Sequence, residues 1–216
     1  MTRTKTICGG LSALALCLCL SANAIAESRI VLPALDVAGV SQAEWSKRWW
    51  QWAAAFPHEE SPVSDRTGAR CAAGQHGPVW FLAGAFGSAM VHRRCTVPKG
   101  KYIFFPLVNY IVHPTQEMKI TCASAIEAAG ELIDDPEILV AELDGVAFTD
   151  LVGHRQKSPG CFDLAAVAAG NFQIYPSASD GYYLMLKPLK PGKHTLHFGG
   201  QLPNAKQAIS YILLVE

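Results

Sequence analysis

Apolar residues recur along this chain with two different periods, and each period marks a kind of element. Residues 41–56, SQAEWSKRWWQWAAAF, place Trp45, Trp49, Trp52 and Phe56 at i, i+4, i+7 and i+11, the spacing of one helical face. Ser41 followed by Glu44 predicts a capping box at the start, and Pro57 ends the run. A second helical period, Met118, Cys122, Ile126, Ala129 and Ile133, predicts a helix over 115–133. Thr115 would cap it, and Asp134-Asp135-Pro136 would end it. Between and beyond these helices the pattern is that of strands. Pro78–Gly84 is a short apolar run bounded by punctuating residues. Lys101–Val112 is β-prone, and its Pro106 implies an edge, a bulge or a break. Ile138–Leu143 and Val146–Leu151, joined by Asp144-Gly145, predict a hairpin. Tyr182–Leu189, His194–Phe198 and Ala208–Val215 are the last strands, with Lys190–Lys193 a turn. Residues 57–77, Ser177–Gly181 and Gly199–Asn204 are expected as loops. Several short strands with closely spaced turn signals predict a mainly β fold, a β-sandwich or jelly-roll-like domain with the two helices packed on it.

The first 26 residues stand apart from this pattern. Arg3 and Lys5 precede an apolar run from Leu11 to Leu20, followed by the small residues around Ala22–Ala26. That is the three-part order of a signal peptide, and the run is too short for a permanent membrane anchor. The expectation is residues 1–26 as signal and 27–216 as one β-rich domain, exported to the periplasm or beyond the cell with no transmembrane anchor after cleavage. The full chain has 216 residues with 18 basic and 18 acidic side chains. Cleavage removes Arg3 and Lys5, leaving 190 residues with 16 basic and 18 acidic. A chain so balanced has no electrostatic reason to seek nucleic acid. It is 50% apolar and 17% charged, a composition that buries a core rather than remaining disordered.

Cleavage also removes Cys8, Cys17 and Cys19, leaving Cys71, Cys95, Cys122 and Cys161. An even number in an exported chain points to two disulfides. Three pairings are open. Cys71–Cys95 with Cys122–Cys161 closes the smaller loops and is the expected one. Zinc is the competing use of these residues, but no CxxC pair is present.

The string Thr67-Gly68, Cys71, Gln75, Gly77–Gly84 (GPVWFLAG), Arg94-Cys95, Val97-Pro98, Gly100-Lys101, Phe104–Pro106 and Asn109 resembles a family of exported bacterial proteins with no assigned function. The tryptophan-rich segment before it is similar as well. So are the Leu143–Gly145 and Pro191–His194 turns after it. The resemblance implies export and a shared fold, and it implies no activity.

The familiar catalytic patterns are absent. Gly87-Ser88 lacks the flanks of a nucleophile elbow. His58-Glu59-Glu60 is not a zincin motif, and Gly192-Lys193-His194 is not a P-loop. His194 and His197 fall on opposite faces of a strand. His76, His92 and His113 sit at element boundaries that could meet at one end of a sandwich, but their spacing does not compel a metal site. Asp65, Glu117, Asp163 and Asp180 are the carboxylates available for a hydrolytic pair. Asp180 beside Gly181 and Asp144 beside Gly145 are first of all turn residues. Asn109 interrupts an apolar run, where a buried amide needs partners. It and Trp80 could face a polar small molecule or glycan. Arg155 could pair with a carboxylate. The candidate ligand-binding set is therefore Asp65, His76, Trp80, Asn109, His113 and Arg155. The function expected is a binding or structural module without a cofactor or metal. Two alternatives are a secreted hydrolase acting on an extracellular polymer, and a membrane-surface or partner-docking protein that uses the tryptophan helix.

Overall fold

In the computed structural model, residues 29–85 and 90–216 are described. The signal segment 1–26 lies outside them. Among the described residues, two mixed sheets face each other. The first runs β1 (Val79–Phe81), β3 (Tyr102–Val112), β7 (Ala178–Leu186), β6 (Arg155–Lys157). The second runs β2 (Val91–Val97), β9 (Ala205–Val215), β8 (Gly192–Leu202), β4 (Ile138–Leu143), β5 (Val146–Ala147). β1–β3 and β2–β9 pair in parallel, and every other pair is antiparallel. This is the mainly β, sandwich-like fold with two helices that the periodicity predicts.

The core between the sheets is built from alternating positions. Ile103, Phe105 and Leu184 meet Leu196, Phe198 and Tyr211, and the Phe105 and Phe198 rings lie 4.4 Å apart. The opposite face of the first sheet is also apolar. Phe81, Phe104, Tyr183 and Met185 point there, and α1 (Gln42–Ala54) covers them with Trp45, Trp49 and Trp52. β7 is therefore buried along its whole length. Each stripe tryptophan also pins the helix by its indole N–H. Trp45 donates to Val37 O at 3.1 Å, Trp49 to Leu82 O at 2.9 Å and Trp52 to Ala73 O at 2.8 Å. At the start of α1 the Ser41 hydroxyl accepts from the Glu44 N–H. The Glu44 carboxylate turns outward to Lys47 and Arg48 instead of closing the box.

Several expectations are corrected. The second helix, α2 (Cys122–Glu131), starts well after Thr115. The reciprocal Thr121–Ser124 capping bonds fix its first turn, and it buries Ala125 and Ala129 while Met118 and Ile126 are exposed. Ser177–Gly181 and Gly199–Asn204, expected as loops, lie mostly in β7 and β8. Their glycines serve close approach rather than turning. A Cβ at Gly181 would sit 2.5 Å from Asn109 Cβ, and one at Gly199 would sit 2.3 Å from Gln207 O. The Asp144-Gly145 hairpin turn forms with φ of 54° and 78°, but its second arm is only Val146–Ala147 before the chain leaves the sheet. β2 has no expected counterpart. Its sequence VHRRCTV alternates buried and exposed, and an arginine occupies one of the buried positions. Pro106 lies at a bulge, where the β3–β7 register shifts between Pro106 and Val108. Both expected disulfides, Cys71–Cys95 and Cys122–Cys161, are present, each with a Cα–Cα distance of 5.8 Å.

Candidate functional site

The two helical and sheet layers leave a cleft of about 820 Å³ between α1, the far end of β3 and the β8–β9 hairpin. From α1 come Trp49, Trp50, Ala53 and Ala54; from β3, Val108 to Ile111, with His113 just beyond; from the hairpin, Leu202 to Gln207. Trp50 lies off the helix stripe and packs only partly buried against the cluster beneath α1. It stands edge-on to Trp49 at 5.1 Å and lines the cleft.

At the base of this wall three polar groups meet. The Asn109 amide donates to the Tyr183 hydroxyl at 2.9 Å. Tyr183 is fully buried, and this burial pushes its hydroxyl pKa well above the usual value, against the opposing hydrogen bond from Asn109. The Trp50 indole N–H approaches the same hydroxyl without completing a hydrogen bond.

Two buried side chains hold the walls in place. Gln207 donates to the carbonyls of Pro106 and Leu107, at the bulge, at 2.8 and 2.7 Å, and accepts from the Ala85 N–H at 3.0 Å. Arg93 is 3% exposed. Its guanidinium donates to Val63 O, Asp65 O, Ala83 O and Gly84 O and to the Tyr211 hydroxyl, at 2.6 to 3.1 Å. Among the described residues no carboxylate shares this network. The cation is neutralised by backbone dipoles and by the Tyr211 ring, whose centroid lies 5.6 Å from the guanidinium carbon. Val63 and Gly84, which Arg93 holds, both line the cleft.

Of the six candidate ligand residues, the cleft collects Asn109 and His113. His113 Nδ1 lies 2.9 Å from Pro114 O. Trp80 is in the inter-sheet core, 7% exposed, and offers no aromatic platform. Asp65 builds a turn, accepting from Thr67 N, Thr67 Oγ1 and Arg70 N. Burial works against its ionisation, but these bonds outweigh it and hold the carboxyl below its usual value. His76 is exposed in the loop before β1 and away from the cleft lining. Arg155 is occupied by Asp180, which is 1% exposed, by Asp134 and by Gly130 O. Asp180 is thus an internal strand residue and not a turn. Asp163 accepts from Ala165 N and Ile174 N. Among the described residues no carboxylate lines the cleft, and no three His, Cys, Asp or Glu side chains gather as metal ligands. Sequence reasoning missed Tyr183, Lys206, Gln207 and Arg93. Arg93 sits at an inward position of an alternating strand, a pattern legible only once β2 is recognised as a strand.

No family model matches the chain, and no curated protein matches it. Among solved structures, the solution structure of amebosin aligns with 60% of this chain and 99% of its own, at 10% identity and a TM-score of 0.20. So slight a likeness bears on neither fold nor function.

Proposed function

We propose that this chain is an exported binding protein that holds one small, apolar-bodied ligand in the cleft beside Trp50. The cleft carries the reading. Its volume of about 820 Å³ falls within the range of small-molecule sites, and such sites are typically apolar walls with a few convergent polar groups. The wall here is Trp49, Val108, Ile111, Leu164 and Leu202, with Asn109 among them. An aliphatic wall suits an apolar body better than a glycan. The lack of a lining carboxylate favours binding over hydrolysis. The stripe tryptophans, each 5% exposed or less, are used in packing, which favours a ligand cleft over a docking helix. The sequence of residues 1–26 and the two disulfides support export to an oxidising compartment, periplasmic or extracellular.

The test uses N-phenylnaphthylamine, a neutral fluorescent probe of apolar sites. One probe per folded chain is expected to bind and to quench tryptophan emission. Ala54→Trp, which fills the cleft from its half-buried α1 wall, should abolish binding and leave the urea unfolding midpoint unchanged. Equal binding by the two proteins would refute the proposal.

A further inference from the structure

We infer that the cleft selects an amphipathic anion, an apolar or aromatic body that ends in a carboxylate-type oxygen acceptor. The inference rests on the cleft being a ligand site, as proposed above, and specifies the ligand's polar end. Three observations carry it. First, among the described residues the lining has no aspartate or glutamate, while Lys206 and His113 are the lining groups able to carry positive charge. Among the described ion pairs none involves Lys206, so its charge is not cancelled by a neighbouring carboxylate. Glu137 bonds to the lining residue Gln201 but is not itself part of the lining. A cation entering an apolar cleft loses water and finds no counter-charge, whereas an anion finds a complementary field.

Second, the polar groups at the base are rich in donors. Asn109, Tyr183 and Trp50 carry more donor hydrogens than acceptor atoms between them. Their one completed bond joins Asn109 to Tyr183, and the Trp50 N–H is left without a partner. A ligand acceptor at Asn109 would use the donor capacity that the protein leaves spare. Third, the buried amide of the lining is already engaged. Gln207 spends its oxygen on Ala85 N and its nitrogen on the bulge carbonyls.

Matched pairs on two skeletons test this: naphthoate against naphthylmethylammonium, and decanoate against decylammonium, each titrated by quenching of tryptophan emission in the oxidised protein. On at least one skeleton the carboxylate should bind about tenfold or more tighter than the ammonium, a difference of roughly 1.4 kcal/mol. Lys206→Glu changes an exposed side chain and leaves the core intact, so it should erase or reverse that preference with the urea unfolding midpoint unchanged. Asn109→Asp keeps the shape, removes the donors and should weaken carboxylate binding about tenfold or more. Equal affinity within both pairs, or a preference that survives Lys206→Glu and Asn109→Asp unchanged, would overturn the anion inference and leave the cleft standing. Failure of all four compounds and of the neutral probe would overturn the cleft itself, and the inference with it.

Discussion

Arg93 gives the most exacting test of how the cleft is held open. It is 3% exposed and makes five donor contacts, four to carbonyls and one to Tyr211. Arg93→Met keeps an unbranched side chain and removes every donor. Bonds from a charged donor contribute about 1.5–3 kcal/mol each. Burying the cation costs several kcal/mol in the other direction, so the contributions do not simply add. Breaking a buried charged network typically costs about 3–5 kcal/mol net, and the same range is expected here because the carbonyls of Val63, Asp65, Ala83 and Gly84 are left facing a methionine. Against a total stability of about 5–15 kcal/mol that is a large share. With a urea slope of about 2 kcal/mol per molar, the unfolding midpoint followed by tryptophan fluorescence should fall by roughly 2 M. Arg93→Lys separates charge from geometry. A single ammonium cannot span loop 63–65, residues 83–84 and Tyr211 together, so it should recover less than half of the loss. A methionine variant within about 1 kcal/mol of the parent, or a lysine variant indistinguishable from it, would refute the staple.

Gly181→Ala places a Cβ against Asn109 Cβ and Cα. It should cost about 1–3 kcal/mol and weaken probe binding at the cleft, and an unchanged urea midpoint would contradict the close approach. Replacing Cys122 and Cys161 together by alanine opens a closure of sequence separation 39. The loop-entropy account assigns that about 4 kcal/mol, so a calorimetric scan should show Tm lowered by about 10 °C, and a shift of a degree or two would reject the account. Burial lowers the pKa of His154, with Asp150 opposing, and its Nδ1 has no partner among the described residues. The unfolded chain then binds the proton more readily than the folded one, so this residue's contribution is complete above a pH of about 6.5 and is lost as the pH falls through the folded pKa. Urea midpoints measured from pH about 7.5 down to about 5.5 should therefore decline less in His154→Phe than in the parent, and parallel declines would exclude His154 as the source.

The first helix was legible because periodicity, a cap and a terminating proline agree over one short window. So were the disulfides, since four cysteines left few pairings. The glycines misled because turning and close approach call for the same residue. Gly181 and Gly199 are strand positions where another strand leaves no space for a Cβ, and only the partner's position reveals that. β2 was hidden by its polar residues, since Arg93 reads as surface until carbonyls from two other segments are seen to surround it. In the second helix, a Thr–Ser capping pair set the start, where the apolar spacing suggested an earlier one. Asn109 was visible as a polar residue in an apolar run, but Tyr183 and Trp50, which give it a role, come from β7 and α1. Nothing local links those three. Their meeting depends on the β3–β7 register and on α1 lying across it.

The placement of β9 also sets an order in time. It lies inside the second sheet, between β2 and β8, yet it is the last strand to leave a chain made from its N-terminus. Until residues 205–215 have emerged, β2 has no strand beside it, and Val91 and Val97 have no completed core to enter. Cys95 need not wait, since Cys71 is only 24 positions away. The first crosslink can therefore close on an unfinished sheet and hold the orphan strand near the loop it will later pack against. Packing of β2 into the sandwich would then wait for the arrival of β9.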